Sequence, residues 1–538
     1  MPVTSTMMDF PLTISHVLRH GATVHAGSEV ITWSPEGVER ASFAQVAVRA
    51  AQLANLLSRL GIGPRDVVGT LCWNHQRHME AYLAVPAMGS VLLTLNLRVG
   101  PDQLAFAINR GEARAIIADA MLLPLLEEIA DRLPALEHVI VVDTGTGRPS
   151  ARTLGPATIV SDYDAALAGE ANQRTWLDCD ERAPSGICFT SGTTGDPKGV
   201  VYSHRSQVLH AMSLCSASAM GINDRDRVLV TVPLFHVNAW GTPYAGWWSG
   251  ADLLMPQQYL QAPHLAAMIE EQRPTFAGGV PTLWNDLYNY AADKPVDFSS
   301  LRLVVGGGSA VPRGLIERFH QRFGVPLSQG WGMTECSPIA AVARPPRGVE
   351  GADVYDYHAY AGRVVAGVEL RLVAEDGTVQ PWDGAAFGEI QLRGPWVTGA
   401  YLGNADPDRF MDGWLRTGDV GTVTPNGYVR LVDRAKDVIK SGGEWISSVA
   451  LETRLMNHPG VTEAAVIGVV DERWGERPLA FVVRAADSAV SEDELGEWIA
   501  AELPRWQVPE RWRIVDAIPR TSVGKFDKKA LRVLAADA

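Results

Sequence analysis

Over residues 43–60 apolar side chains recur at Val46, Ala50, Leu53, Leu57 and Leu60. That is the spacing of a helix with one buried face, and it stops at Gly61, where a C-terminal cap belongs. Short apolar runs then alternate with helical spacing. Strands are expected over 67–73, 91–95, 115–119 and 139–142, and helices over 80–88 and 122–133. This alternation predicts an α/β fold with a mostly parallel, doubly wound sheet. Residues 144–156, rich in Gly, Thr and Pro, read as an exposed connector. Further strands are expected over 227–232 and 301–305. Beyond residue 436 the pattern restarts as a small α+β module, with helices over 448–456 and 492–503 and strands over 464–470 and 479–483.

At 538 residues the chain exceeds what one core usually serves. Its 46% apolar and 20% charged residues exclude a largely disordered chain. A formal charge of −14 argues against a nucleic-acid partner and directs attention to small-molecule chemistry. The five cysteines form no CxxC pair and show no metal-ligand spacing with histidine, which disfavours a disulfide framework or zinc site and fits a reducing cytoplasm. No apolar run approaches 18 residues, so no membrane span is expected. Peripheral membrane contact and a homodimer stay open.

Chemistry concentrates in Thr190-Ser191-Gly192-Thr193-Thr194-Gly195-Asp196-Pro197-Lys198-Gly199. Glycines let backbone N–H groups approach oxyanions, hydroxyls add donors and Lys198 adds charge, so the loop reads as a polyphosphate cradle. It lacks the Gly-Lys-Ser/Thr ending of a Walker loop. A plain polar loop between two apolar strands would share its composition. Downstream, Pro233-Leu234-Phe235-His236-Val237-Asn238-Ala239-Trp240 leaves the C-terminal end of a strand, the edge at which open α/β sheets bind ligands. Gly306-Gly307-Gly308-Ser309 reads equally as a pocket wall or a strand-to-helix turn. Then follow Gln329-Gly330-Trp331-Gly332-Met333-Thr334-Glu335, Arg416-Thr417-Gly418-Asp419, Asp433-Arg434-Ala435-Lys436-Asp437 and a tail, Pro519-Arg520-Thr521-Ser522-Val523-Gly524-Lys525.

These blocks, in this order and across the whole chain, resemble the adenylate-forming superfamily of acyl-CoA synthetases, peptide-synthetase adenylation domains and luciferases. The resemblance implies a large N-terminal region of doubly wound mixed sheets (1–433), a hinge (434–437) and a small mobile α+β C-terminal domain (438–538). It also implies a two-step reaction. A carboxylate and Mg-ATP give acyl-adenylate and pyrophosphate, and coenzyme A then displaces AMP.

Carried onto matching positions, the resemblance makes Lys525, Thr190, Glu335 and His236 the catalytic set. Thr190, Ser191, Gly192, Thr193, Thr194 and Lys198 would hold phosphates, Thr334 the α-phosphate and Glu335 the magnesium ion. Gly307, Gly308, Ser309, Gly330 and Trp331 would flank adenine, and Asp419 and Arg434 would hold the ribose. Trp331 stands where many members have Tyr, which keeps an aromatic wall and removes a hydroxyl. His236, Val237, Trp240, Gly306 and Cys336 would line an acyl pocket. Lys436 would be the hinge, and Lys440, Gly442, Gly443, Glu444 and Trp445 a loop on the coenzyme A side. Singly, plainer readings compete: Asp419 as a turn residue, Glu335 as a surface acid, Lys525 as a solvated tail lysine. The local motifs look most like medium- and long-chain fatty acyl-CoA synthetases and methylmercaptopropionate-CoA ligases. An apolar, medium- or long-chain carboxylate is therefore the expected substrate, and the alternatives are methylmercaptopropionate or another short substituted acid, or transfer to a carrier-protein thiol.

Overall fold

The helix expected first forms over Phe43–Arg59. Ser42 and Gln45 open it with reciprocal side-chain-to-backbone hydrogen bonds of 3.2 and 2.8 Å, which satisfy two of its orphan N–H groups. Gly61 follows at φ +81°, a left-handed stop that favours glycine. The computed structural model describes residues 5–143, 153–190, 197–442, 444–486, 488–520 and 526–536. The chain divides into two units: Met1–Gly278 with Met333–Ile339 and Pro395–Ala405, and Gly279–Gly332 with Ala340–Gly394 and Asp406–Ala538.

The first unit contains an eight-stranded sheet in the order Gly199–Ser203, Pro184–Phe189, Val91–Thr94, Val67–Leu71, Ala113–Asp119, His138–Val142, Ala157–Val160, Thr153–Leu154. Its six inner strands pair in parallel and its two edge strands antiparallel. The inner strands are apolar on both faces; Leu71, Leu93, Ile116 and Val139 pack with Leu104, Ile108 and Leu126 from the crossover helices. A second set of strands in this unit runs Gly37–Ser42, Glu29–Ser34, Asp252–Met255, Arg227–Leu229, Phe276–Gly279.

Three expectations change. The helix over 122–133 is broken into Leu123–Glu127 and a 3-10 turn at Ala130–Arg132, since Pro124 suits only a first turn and too few residues follow to propagate a helix. The connector over 144–156 ends in a strand, Thr153–Leu154, which turns at Gly155 (φ +54°) and buries Leu154; residues 144–152 lie outside the described set. The strand expected over 227–232 stops at Leu229; after the Val230 N–H meets the Leu254 carbonyl at 2.9 Å, a side chain holds the backbone as far as Leu234. Asn74 donates through Nδ2 to the Val230 and Val232 carbonyls at 2.8 Å each and accepts from the Leu234 N–H at 2.8 Å.

In the second unit Leu303–Gly306 pairs in parallel with Leu327–Gly332. An antiparallel meander joins Glu369–Val373, Gly388–Arg393, Trp414–Val423 and Tyr428–Arg434. In the C-terminal five-stranded sheet the long strand Val461–Asp471 pairs antiparallel with the central strand Gly475–Arg484. Along the first of these, Ala464 and Val466 join Leu451, Leu455 and Ile499 in one core, while Ala465 and Ile467 join Phe481, Ile518 and Leu531 in another. Alternate side chains thus enter opposite cores, which is why the strand reads as a continuous apolar run.

Because Asn74 is 2% exposed, Asn74→Ala leaves three buried backbone groups unpaired, at about 1–3 kcal/mol each. The expected loss is about 3 kcal/mol or more in denaturant unfolding of the first unit, with a change below 1 kcal/mol contradicting this account of the clamp.

Candidate active site

In the first unit the strands Pro184–Phe189 and Gly199–Ser203 form a hairpin whose neck is closed by Thr190. Its N–H donates to the Lys198 carbonyl at 2.9 Å, and its Oγ1 accepts from the Lys198 N–H at 3.2 Å. The loop between them carries Ser191, Gly192, Thr193 and Thr194, which lie outside the described residues. Lys198 Nζ stands 5.4 Å from the centre of the Tyr401 ring. The Tyr401 hydroxyl donates to Glu335 Oε1, and the Thr398 N–H donates to the Glu335 carbonyl at 2.7 Å. One tyrosine therefore joins the lysine of the loop to the acid of the Met-Thr-Glu block.

Glu335 is 7% exposed, so the reading of a surface acid fails. It sits with Thr334 and Cys336 in a 3-10 turn, and Tyr202 fixes that turn by donating its hydroxyl to the Thr334 carbonyl at 2.8 Å. Sequence reasoning missed Tyr401 and Tyr202. The available signal was a tyrosine within an aliphatic strand or a small-residue loop, where a phenol must find a partner once buried. With Oε1 taken by Tyr401, Oε2 of Glu335 is an oxygen donor of the kind that could hold magnesium.

Beside this lies the expected acyl loop. His236 precedes five consecutive residues in the left-handed region: Val237, Asn238, Ala239, Trp240 and Gly241, at φ +41°, +54°, +48°, +58° and +73°. Each non-glycine residue there costs roughly 1–2 kcal/mol, so the surroundings must hold the turn. Asn74 holds the approach as far as Leu234, and the turn itself is met by Tyr82, whose hydroxyl donates to the Leu234 carbonyl and lies 3.3 Å from Asn238 Oδ1, and by Thr242, which donates to the Ala239 carbonyl at 2.8 Å. Behind Gly241, a Cβ would lie 2.5 Å from His210 Nδ1. Burial pulls the His210 pKa down to about 3, which keeps the ring neutral while Nε2 accepts from the Ile339 N–H at 3.3 Å. Trp240 is buried, as is Cys336, whose thiol bonds the Pro338 carbonyl.

Elsewhere in this unit Cys72, His75 and Asp119 come within ligand reach of one another, a grouping the cysteine spacing did not suggest. Hydrogen bonds account for it. His75 Nδ1 accepts from the His78 N–H at 3.1 Å, Nε2 contacts Asp119 Oδ1 at 2.8 Å, and the Cys72 thiol donates to the Ile117 carbonyl.

The second unit carries the other candidates. Gly306 pairs with Gln329 across parallel strands and leaves room for Val311, whose Cγ2 would lie 2.5 Å from an added Cβ. Gln329 Oε1 accepts from the Val311 N–H at 2.7 Å, which ties down the run Gly307, Gly308, Ser309. Gly330 and Trp331 follow on the same strand. Trp331 does more than present a flat face: its indole N–H donates to Asp419 Oδ2 at 2.9 Å. Arg434, opposite Asp419 in the antiparallel register, donates through Nε to Oδ1 at 2.7 Å. Asp419 is 5% exposed, which rules out a solvated turn residue.

Around Lys436, Arg532 of the last helix donates to Asp437 Oδ1 at 2.5 Å and to the Lys436 carbonyl at 3.3 Å. Asp433 accepts from the Ser448 N–H at 2.7 Å, and Lys528 pairs with Glu452 at 2.7 Å. Burial, then the nearby Arg434 and Arg532 charges, lower the Lys436 pKa against the pull of Asp437. Lys440 pairs with Glu375 at 3.0 Å and lies over the Trp445 ring, and Glu444 pairs with Ser441 across a short hairpin at Gly442 (φ +61°). Gly443 and Lys525 lie outside the described residues.

The sequence profile of the AMP-binding enzyme family matches residues 18–402, and that of the AMP-binding enzyme C-terminal domain matches residues 450–525. The chain is 40% identical over 530 residues to a 3-methylmercaptopropionyl-CoA ligase of Ruegeria pomeroyi, covering 98% of each. It is 41% identical over 535 residues to a long-chain-fatty-acid–CoA ligase of Thermus thermophilus, covering 98% of this chain and 96% of that one. A crystal structure of an anthranilate CoA ligase in complex with anthranoyl-AMP matches with a TM-score of 0.87 at 26% identity, over 98% of this chain and 99% of that one. With the hairpin loop, the buried Glu335 and the Trp331–Asp419–Arg434 group in hand, these matches make the chain a member of the adenylate-forming, AMP-binding enzyme family.

Proposed function

We propose that this chain is an ATP-dependent acyl-CoA synthetase acting on an apolar carboxylate of medium or long chain. The observation that carries this reading is the junction at Tyr401, which sets the lysine of a hydroxyl-rich loop and a buried carboxylate on one side chain. A lysine and a metal-binding acid kept together suit a polyphosphate. In the first step a carboxylate oxygen attacks the α-phosphorus of ATP and the bond to pyrophosphate breaks. In the second, the coenzyme A sulfur attacks the acyl carbon and the bond to AMP breaks.

Thr190, Lys198 and the hydroxyls of residues 191–194 bind the β- and γ-phosphates in this reading, and Thr334 the α-phosphate. Glu335 holds magnesium, which when bound neutralises phosphate charge. Asp419 and Arg434 receive the ribose hydroxyls, beside an adenine wall of Gly307, Gly308, Ser309, Gly330 and Trp331. Lys525 meets the negative charge that builds between carboxylate and α-phosphate. His236, Val237, Trp240, Gly306 and Cys336 line the acyl side. Residues 434–437 act as a hinge between domains 1–433 and 438–538, which rotates to exchange Lys525 for the loop at Lys440, Gly442, Gly443, Glu444 and Trp445. Five free thiols fit a cytoplasmic setting. The 40% identity to the Ruegeria enzyme favours 3-methylmercaptopropionate as a second substrate reading.

AMP release measured with acids from acetate to palmitate and with 3-methylmercaptopropionate, with and without coenzyme A, tests the proposal. Coenzyme A-dependent turnover rising with chain length supports the fatty-acid reading, a preference for the thioether acid supports the second, and no thioester with any acid overturns both. Lys525→Ala should slow adenylate formation by about 100-fold or more, read as pyrophosphate exchange, while leaving thioester formation from supplied acyl-adenylate; exchange at the wild-type rate removes Lys525 from the chemistry. Lys436→Pro fixes φ near −65° and should spare pyrophosphate exchange while slowing thioester formation at least about tenfold. Equal loss of both half-reactions, or of neither, contradicts the hinge.

A further inference from the structure

We infer that Trp331 is a positioning residue for the sugar of the nucleotide, acting through its indole N–H on Asp419, and that it sets discrimination between ribose and 2′-deoxyribose. This rests on the proposed function, which has Asp419 receive the ribose hydroxyls. A carboxylate beside a ribose can rotate about its last side-chain bond and present one oxygen or two. Here both oxygens are committed: Oδ2 accepts from Trp331 at 2.9 Å and Oδ1 from Arg434 Nε at 2.7 Å. An sp² oxygen accepts two hydrogen bonds, so each keeps one acceptor site, and the plane of the carboxylate is fixed by donors on both sides. That leaves two acceptors at a set spacing, which suits a cis-diol and wastes one acceptor on a 2′-deoxy sugar.

The asymmetry of exposure singles out the tryptophan. Trp331 is 6% exposed and Asp419 5%, whereas the Arg434 side chain is 43% exposed. A hydrogen bond shielded from water constrains geometry more firmly than an exposed ion pair, which salt and solvent loosen. The Asp419 backbone is already held, since its N–H donates to Thr417 Oγ1 at 3.0 Å and that hydroxyl donates to the Ile390 carbonyl at 2.7 Å. The freedom that remains is the rotation that the indole stops.

Trp331→Phe keeps an aromatic face and removes the donor. Dissociation constants for ATP and 2′-deoxy-ATP, measured by calorimetry on the full chain without acyl substrate, read the effect. The expected result is ATP binding weakened about 5- to 20-fold, 2′-deoxy-ATP binding weakened less than about threefold, and no further change when Trp331→Phe is added to Asp419→Asn. Equal weakening of both nucleotides, or additive effects in the double variant, means that Trp331 is only an adenine wall and overturns the inference. Wild-type protein that binds neither nucleotide sinks the inference together with the proposed function. Nucleotide binding without acyl-CoA formation from any acid sinks the function alone, and the ratio still decides the role of Trp331. Thermal unfolding of each variant, within a few degrees of wild type, separates these outcomes from misfolding, and Trp331→His supplies a second donor-bearing variant in which discrimination should partly return.

Discussion

A carboxyl group taken out of water must find hydrogen-bond partners, and two such groups anchor the candidate site. Glu335 and Asp419 are each below a tenth exposed. Each is met by the polar tip of an aromatic side chain, the Tyr401 hydroxyl in one unit and the Trp331 indole in the other. An aromatic donor excludes water with its ring while satisfying an oxygen with its edge. It leaves lone pairs on the acid for a ligand, as on Asp419, where Trp331 and Arg434 take one site on each oxygen.

The remaining local structure follows from keeping these groups in place. Tyr202 holds the turn that carries Glu335, and Thr417 holds the strand that carries Asp419. In the first unit the chain from Val237 to Gly241 runs through a backbone region that L-residues avoid. Such strain persists where neighbours over-determine the conformation, and Tyr82 and Thr242 are those neighbours, with Asn74 holding the chain that leads in. Stability is thus spent in the supports so that the loop can hold a shape of its own.

Much of the fold was legible in the chain because periodicity reports burial. The helix at Phe43–Arg59, the helix at Ser448–Met456 and the parallel strands were plain in the apolar spacing. The breaks at 122–133 and 227–232 were not, since Pro124 and Asn74 act through local geometry and a distant side chain rather than through period. Motif reading reached Glu335, Asp419 and Arg434, but it assigned them ligands without partners. Tyr401, Tyr202, Asn74 and the second role of Trp331 escaped it, because each works through a contact at long sequence separation that only the folded chain creates.

The left-handed turn at Val237 to Gly241 also bears on how such an enzyme could change its diet. Asn74 holds the chain that leads into it, while Tyr82 at Asn238, Thr242 at Ala239 and the His210 ring behind Gly241 hold the turn itself. Gly241, with no room for a Cβ beside His210, and Asn238, which meets the Tyr82 hydroxyl, are therefore fixed along with their supports. If Val237 and Trp240 line the acyl side as proposed, substrate preference can drift at those two positions, whereas Asn74, Tyr82, Asn238 and Gly241 are closed to change.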